Sequence, residues 1–173
     1  MALRKMLGSA DHPTVILLMR RIETQSKTTL TRFAAEYAAA QYLPILTERC
    51  PEETRPASAV EAVRAFLDGA KLTAVKTAVR DARTAAQALG HDPVCQAAAR
   101  AVATACAVAT TPTNALGFAF YGAAAFAYHR AGLAASPDTY DALADEELHR
   151  ILTLLEAAAV PDEPDPVKVD WGC

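Results

Sequence analysis

Residues 101–128 read AVATACAVATTPTNALGFAFYGAAAFAY, a run of 28 positions without a charged side chain. The length suffices to span a bilayer, but the content argues against it. Only six of the 28 are Val, Leu or Phe, the residues that drive insertion by a few tenths of a kcal/mol each. Thr111-Pro112 also divides the run, because proline lacks the N–H that a continuous helix needs. Two helices, 93–110 and 112–131, follow from this reading. Both are apolar nearly all round, so other helices must surround them. Gly117 and Gly122 sit where two such backbones can approach closely.

Outside this pair the punctuation is regular. Proline follows a capping residue in Asp11-His-Pro13, Thr54-Arg-Pro56, Asp92-Pro93, Thr111-Pro112 and Ser136-Pro137. Proline suits a first helical turn, where its missing N–H has no partner to lose, and Ser, Thr or Asp accepts an orphan amide there. Gly69, Gly90 and Gly132 mark helix ends. Five further helices are predicted, at 13–23, 26–48, 56–68, 71–89 and 137–159, with Pro44 kinking or breaking the second before Ile45. Inward faces recur at three- and four-residue spacing. They are Leu30, Phe33, Ala34, Tyr37 and Ala38; Val60, Val63, Phe66 and Leu67; Leu72, Val75, Val79, Ala82 and Leu89. The last helix gives Tyr140, Leu143, Leu148, Ile151, Leu152 and Leu155.

No segment alternates at period two, so the fold class is all-α. The prediction is one domain, residues 1–160, a bundle of about seven helices with the fifth and sixth at its centre. Pro161-Asp-Glu-Pro-Asp-Pro166 cannot be helical. It predicts an extended tail, residues 161–173, docked on the domain through Trp171, since an exposed indole forfeits a large apolar area.

Composition narrows the function classes. Of 173 residues 52% are apolar and 21% charged, which excludes a disordered acidic solvator. There are 40 alanines against 11 aromatics. Seventeen basic residues face 20 acidic ones, for a net charge of −3. Phosphate neutralisation needs a concentrated excess of Lys and Arg, so nucleic acid is not an expected partner. Nor is a membrane. The apolar run Val15–Met19 is too short for a signal-peptide core, and Arg20-Arg21 closes it. Cys50, Cys95, Cys106 and Cys173 form no C-x-x-C pair and have no close histidine spacing, so they read as reduced thiols of a cytoplasmic protein.

Chemistry is sparse. The four histidines, His12, His91, His129 and His149, fall in four different segments. Glu146 and His149 have the Glu-x-x-His spacing of di-iron bundles, but a second copy is missing and Glu36 is a weak stand-in. No metal and no cofactor is expected. There is no G-x-S-x-G and no phosphate loop, and Cys106 among alanines reads as an inert thiol. No catalytic residue is assigned. Thr110, Thr111, Thr113 and Asn114 around Pro112 could line a polar pocket, although capping and back-bonding account for them as well.

Several segments carry a resemblance. Tyr42-Leu-Pro-Ile-Leu46, Cys50-Pro-Glu-Glu-Thr-Arg-Pro56 and Ala59-Val-Glu-Ala-Val-Arg-Ala-Phe66 form the first half. Ala97-Ala-Ala-Arg-Ala-Val-Ala-Thr-Ala105, Pro112-Thr-Asn-Ala-Leu-Gly117 and Tyr121-Gly-Ala-Ala124 form the second. In order and spacing, over roughly residues 22–132, they resemble the putative immunity protein family of bacterial polymorphic-toxin loci. The resemblance implies a cytoplasmic protein that binds and neutralises a cognate toxin without catalysis or cofactor. Two other classes stay open: a small-molecule-binding or enzymatic bundle with a pocket between the central helices, and a structural homodimer. The central helices have no exposed face, so a partner surface is expected on outer helices and loops. The candidates are Glu52, Glu53 and Arg55 in one loop and the acidic turn Asp138, Asp141, Glu146 and Glu147.

Overall fold

A computed structural model describes residues 2–172. Among them are eight α-helices: α1 (Pro13–Ile22), α2 (Lys27–Gln41), α3 (Leu43–Arg49), α4 (Arg55–Leu67), α5 (Leu72–Ala88), α6 (Pro93–Cys106), α7 (Asn114–Ala131) and α8 (Pro137–Ala158). A short 3-10 turn, Ala107–Ala109, follows α6. No strand occurs among the described residues, and the bundle is all-α as expected. The count is eight rather than seven because the predicted second helix is broken. Pro44 lies in the first turn of α3, and Tyr42 ends α2 in a distorted helical conformation. No described helix is long and apolar enough to cross a membrane.

Proline and cap residues set most of the starts. Ser26, Asp92 and Ser136 accept first-turn amides at α2, α6 and α8. His12, not Asp11, does so at α1, through Nδ1 at 3.2 Å from the Thr14 amide. Thr54 makes no cap bond; Glu53 accepts the Arg55 N–H at 3.1 Å instead.

Helices α6 and α7 occupy the centre, as their all-round apolarity requires. Ala97–Ala99 and Ala101–Ala109 are all buried. The α4–α5 hairpin packs on one side of α6, α8 packs on α7, and α1 lies over α8. The pair α2–α3 crosses α6, with α2 reaching α4 and α7 as well. The segment before α1 straps along α7, from Tyr128 back to Phe120. Leu7 is fully buried, its N–H reaches Phe120 O at 3.2 Å, and Tyr128 Oη donates to Arg4 O at 2.6 Å.

The segment after α8 does not run extended throughout: it turns at Pro161-Asp162 and bends at Pro164-Asp165, with Asp162 and Asp165 at φ of 49° and 56°, as it follows the turn between α1 and α2. Buried Gln25 meets Val160 as a strand would, accepting its N–H at 2.8 Å and donating to its carbonyl at 3.1 Å. The Glu163 carboxylate accepts from Ser26 N at 2.9 Å, Ser26 Oγ at 2.8 Å and Thr29 Oγ1. Val167 N–H reaches Gln25 O at 2.9 Å. Trp171 is partly buried, and its indole N–H donates to Glu23 Oε1 at 2.6 Å. The indole therefore lies at the end of α1 and not deep in an interhelical groove.

The two central glycines differ. A Cβ at Gly117 would meet Thr104 at 3.4 Å, an ordinary contact, whereas a Cβ at Gly122 would lie 2.0 Å from Tyr42 Oη. Gly122, and not Gly117, is thus the close approach. Gly122→Ala should destabilise by about 1–3 kcal/mol through overpacking, while Gly117→Ala should stay neutral or gain up to about 1 kcal/mol of helix propensity. Urea melts of both variants measure the contrast. Deleting residues 161–173 should lower Tm by roughly 5–10 °C, from about 2–3 kcal/mol of lost contact; a calorimetric scan reads it.

Candidate functional site

On α8 the inward stripe is Tyr140, Ala144, Glu147, Leu148, Ile151, Leu152 and Leu155, all buried. Glu147 belongs to it by spacing, three residues after Ala144 and four before Ile151. It is 0% exposed, which corrects the expectation that it lies on a solvated acidic turn. A buried carboxylate costs several kcal/mol unless its lone pairs are met. Here they are. Tyr37 Oη of α2 donates to Oε1 at 2.8 Å and Tyr42 Oη donates to the same oxygen at 2.7 Å. Arg150, one turn on, pairs with Oε2 through Nη2 and donates to Tyr37 Oη from Nε at 3.1 Å. The Arg150 guanidinium also stacks 4.9 Å above the Phe126 ring. No buried side-chain N or O among the described residues lacks a partner.

Burial is the largest influence on Glu147 and raises its carboxyl above the ordinary carboxylate range, against the pull of the two phenols and Arg150. Burial first, then the Glu147 charge, also raises both phenols, so Tyr37 and Tyr42 stay protonated donors. The cluster is saturated and locks α2, α3 and α8 together. A groove of ≈ 420 Å³ between α2 and the end of α8 reaches Tyr37, and one of ≈ 270 Å³ beside α3 reaches Tyr42 and Arg150.

The other expected site residues separate. Glu53 is half-buried and pairs with Arg55 through two contacts, 2.8 and 2.7 Å, while Glu52 is exposed beside them. Asp138, Asp141 and Glu146 are exposed on α8. Asp141 pairs with Arg4, and Asp145, one turn further, lies 3.6 Å from His12 Nε2. Arg4, the partner of Asp141, lines a groove of ≈ 490 Å³ together with Leu3, Tyr128, Leu133, Ala135, Pro137 and Tyr140. Leu133 in it is 45% exposed. Thr110 Oγ1 and Asn114 Nδ2 both turn onto Ala107 O, at 3.0 and 3.3 Å, and Thr113 makes no cap bond. Glu36 pairs with Arg64 at 2.8 Å, and Glu146 and His149 are exposed.

Sequence reading missed the polar cluster's partners, since Tyr37 and Tyr42 lie more than 100 residues from Glu147. It also missed that Cys50 and Cys95 come together, with Asp92, within 4.8 Å.

Glu147→Ala should destabilise by about 3–5 kcal/mol, because it leaves two phenols and a guanidinium without their acceptor. Glu147→Gln should cost less and isolate the titration. A carboxyl whose folded pKa is raised contributes most below its unfolded value and loses that contribution as pH rises through the folded one. The stability of the wild type relative to Glu147→Gln should therefore increase as pH falls from 7 towards 4.5. Paired urea melts across that range measure it.

Comparison with known proteins bears on what such a scaffold is for. No curated protein and no solved structure matches the chain. One family model, described as Imm-5 like putative immunity protein, matches residues 20–154. That segment runs from the last turn of α1 through Leu154 of α8, so it takes in Tyr37, Tyr42, Gly122, Glu147 and Arg150. With well over half its length matched, the chain belongs to the Imm-5 like putative immunity protein family.

Proposed function

We propose that the protein binds a cognate bacterial toxin in the cytoplasm and neutralises it one-to-one, without catalysis. The single observation that carries this is the family match across most of the bundle. The internal chemistry supports it. The one buried carboxylate among the described residues is saturated by two phenols and a guanidinium. Burial pushes the Cys106 thiol up to about 12, away from a reactive thiolate.

The binding face we favour is the start of α8 with the turn before it. A mainly apolar groove lined by Leu3, Leu133, Pro137 and Tyr140, with Arg4 and its partner Asp141 supplying the charge beside it, has the make-up of an interface: an apolar centre and a charged margin. Glu146 extends the acidic edge along α8. The loop of Glu52, Glu53 and Arg55 is a second candidate face. Its internal Glu53–Arg55 pair leaves Glu52 as the freer charge.

Leu133→Asp, and separately Asp138→Lys with Glu146→Lys, should each weaken capture of the cognate toxin by tenfold or more. All three positions are exposed, so Tm should hold within about 2 °C. Co-purification and growth rescue read the loss. Unchanged capture by both would move the face to Glu52, Glu53 and Arg55, where Glu52→Lys tests it.

A further inference from the structure

We propose that Cys50 and Cys95 form an oxidisable dithiol that closes reversibly to a disulfide. Cys50 ends α3 and Cys95 lies in the first turn of α6, 45 residues later. Their sulfurs and an Asp92 carboxylate oxygen all lie within 4.8 Å of one another. Cys50 is partly accessible, whereas Cys95 is fully buried.

The same three residues could suggest a metal site, but Asp92 has no capacity left for one. Its Oδ1 accepts the amides of Val94 and Cys95, each at 3.1 Å, and Arg49 Nη2 at 3.2 Å. Its Oδ2 accepts Arg49 Nε at 3.1 Å and Nη2 at 3.0 Å. Five N–H contacts meet a carboxylate with about four acceptor positions, and Arg49 already supplies the cation. What remains beside Asp92 is a pair of thiols.

Hydrogen peroxide, or another two-electron oxidant, completes the chemistry. Cys50 Sγ attacks one peroxide oxygen and the O–O bond breaks; the departing hydroxide takes the thiol proton and leaves as water. Cys95 Sγ then attacks the resulting sulfenic sulfur, and the expelled hydroxide takes the second thiol proton. Two thiols and one peroxide give one disulfide and two waters. The order follows from access: the oxidant reaches half-buried Cys50, while fully buried Cys95 meets only the sulfenic sulfur formed beside it; burial pushes the Cys95 thiol up to about 12, so this second attack is the slower step. The closed form holds α4 and α5 in one covalent loop and pins the Glu52–Arg55 loop against the start of α6.

The test uses the full chain carrying Cys173→Ser, treated with one equivalent of hydrogen peroxide. Non-reducing peptide mapping should find residues 50 and 95 linked, with Cys106 free. Tm should rise by about 5–10 °C, as expected for closing a loop of this length in a chain this size. Dithiothreitol should reverse both effects, and Cys50→Ser and Cys95→Ser should abolish them. If Cys95→Ser impairs folding, the half-buried Cys50→Ser carries the comparison. Cys50 oxidised to sulfinic acid while Cys95 remains alkylatable, or a link that leaves Tm unchanged, would overturn the proposal.

Discussion

A carboxylate with no solvent contact constrains the whole bundle. Glu147 must find its donor partners inside, and they come from three places: Tyr37 on α2, Tyr42 at the break before α3, and Arg150 one turn along α8. A fourth element adapts by omission. The Tyr42 phenol occupies the space where any side chain at position 122 on α7 would begin. Four helices therefore meet at one polar point. An alanine-rich core presents shallow ridges that discriminate weakly between helix registers, and a directional, saturated cluster supplies the discrimination that large side chains provide elsewhere.

The break at Pro44 belongs to the same arrangement. A helix continuing from α2 would carry Tyr42 onward along the same axis. Ending α2 at Tyr42 lets α3 turn onto α6 and leaves the Tyr42 ring edge-on to Tyr37, 5.8 Å between centroids. Phe33 and Phe118 extend this aromatic group along α2 and α7. These four of the eleven aromatic side chains gather around the Glu147 cluster, while Tyr128 and Tyr140 pair separately, 4.9 Å between centroids.

How far the sequence predicts this depends on the range of each interaction. Caps, proline starts and three- and four-residue spacing are local, and they located every helix, the two central ones and the break near Pro44. Glu147 was legible in principle, because its spacing puts it on the stripe of Ala144, Leu148 and Ile151. The adjacent Glu146 disguised it as part of a solvated pair, although neighbouring residues on a helix point in different directions. Tyr42 and Cys50 were not legible in this sense. What each does depends on a residue brought near only by tertiary packing, Glu147 or Cys95, and no spacing records that. Of the acidic turn, Asp138, Asp141 and Glu146 remain at the surface as the pattern suggested, and the groove beside them emerges only when the strap before α1 meets the α7–α8 turn.

The proposed role as a stoichiometric inhibitor puts recognition on the surface of the bundle. The most direct measurement is a titration of the cognate toxin's activity with the full chain at toxin concentrations well above the dissociation constant. Stoichiometric binding predicts inhibition that grows linearly and is complete at one equivalent, with the toxin recovered active and chemically unaltered after dissociation. Complete inactivation by a small fraction of an equivalent, with a lasting change in the toxin's mass, would contradict it.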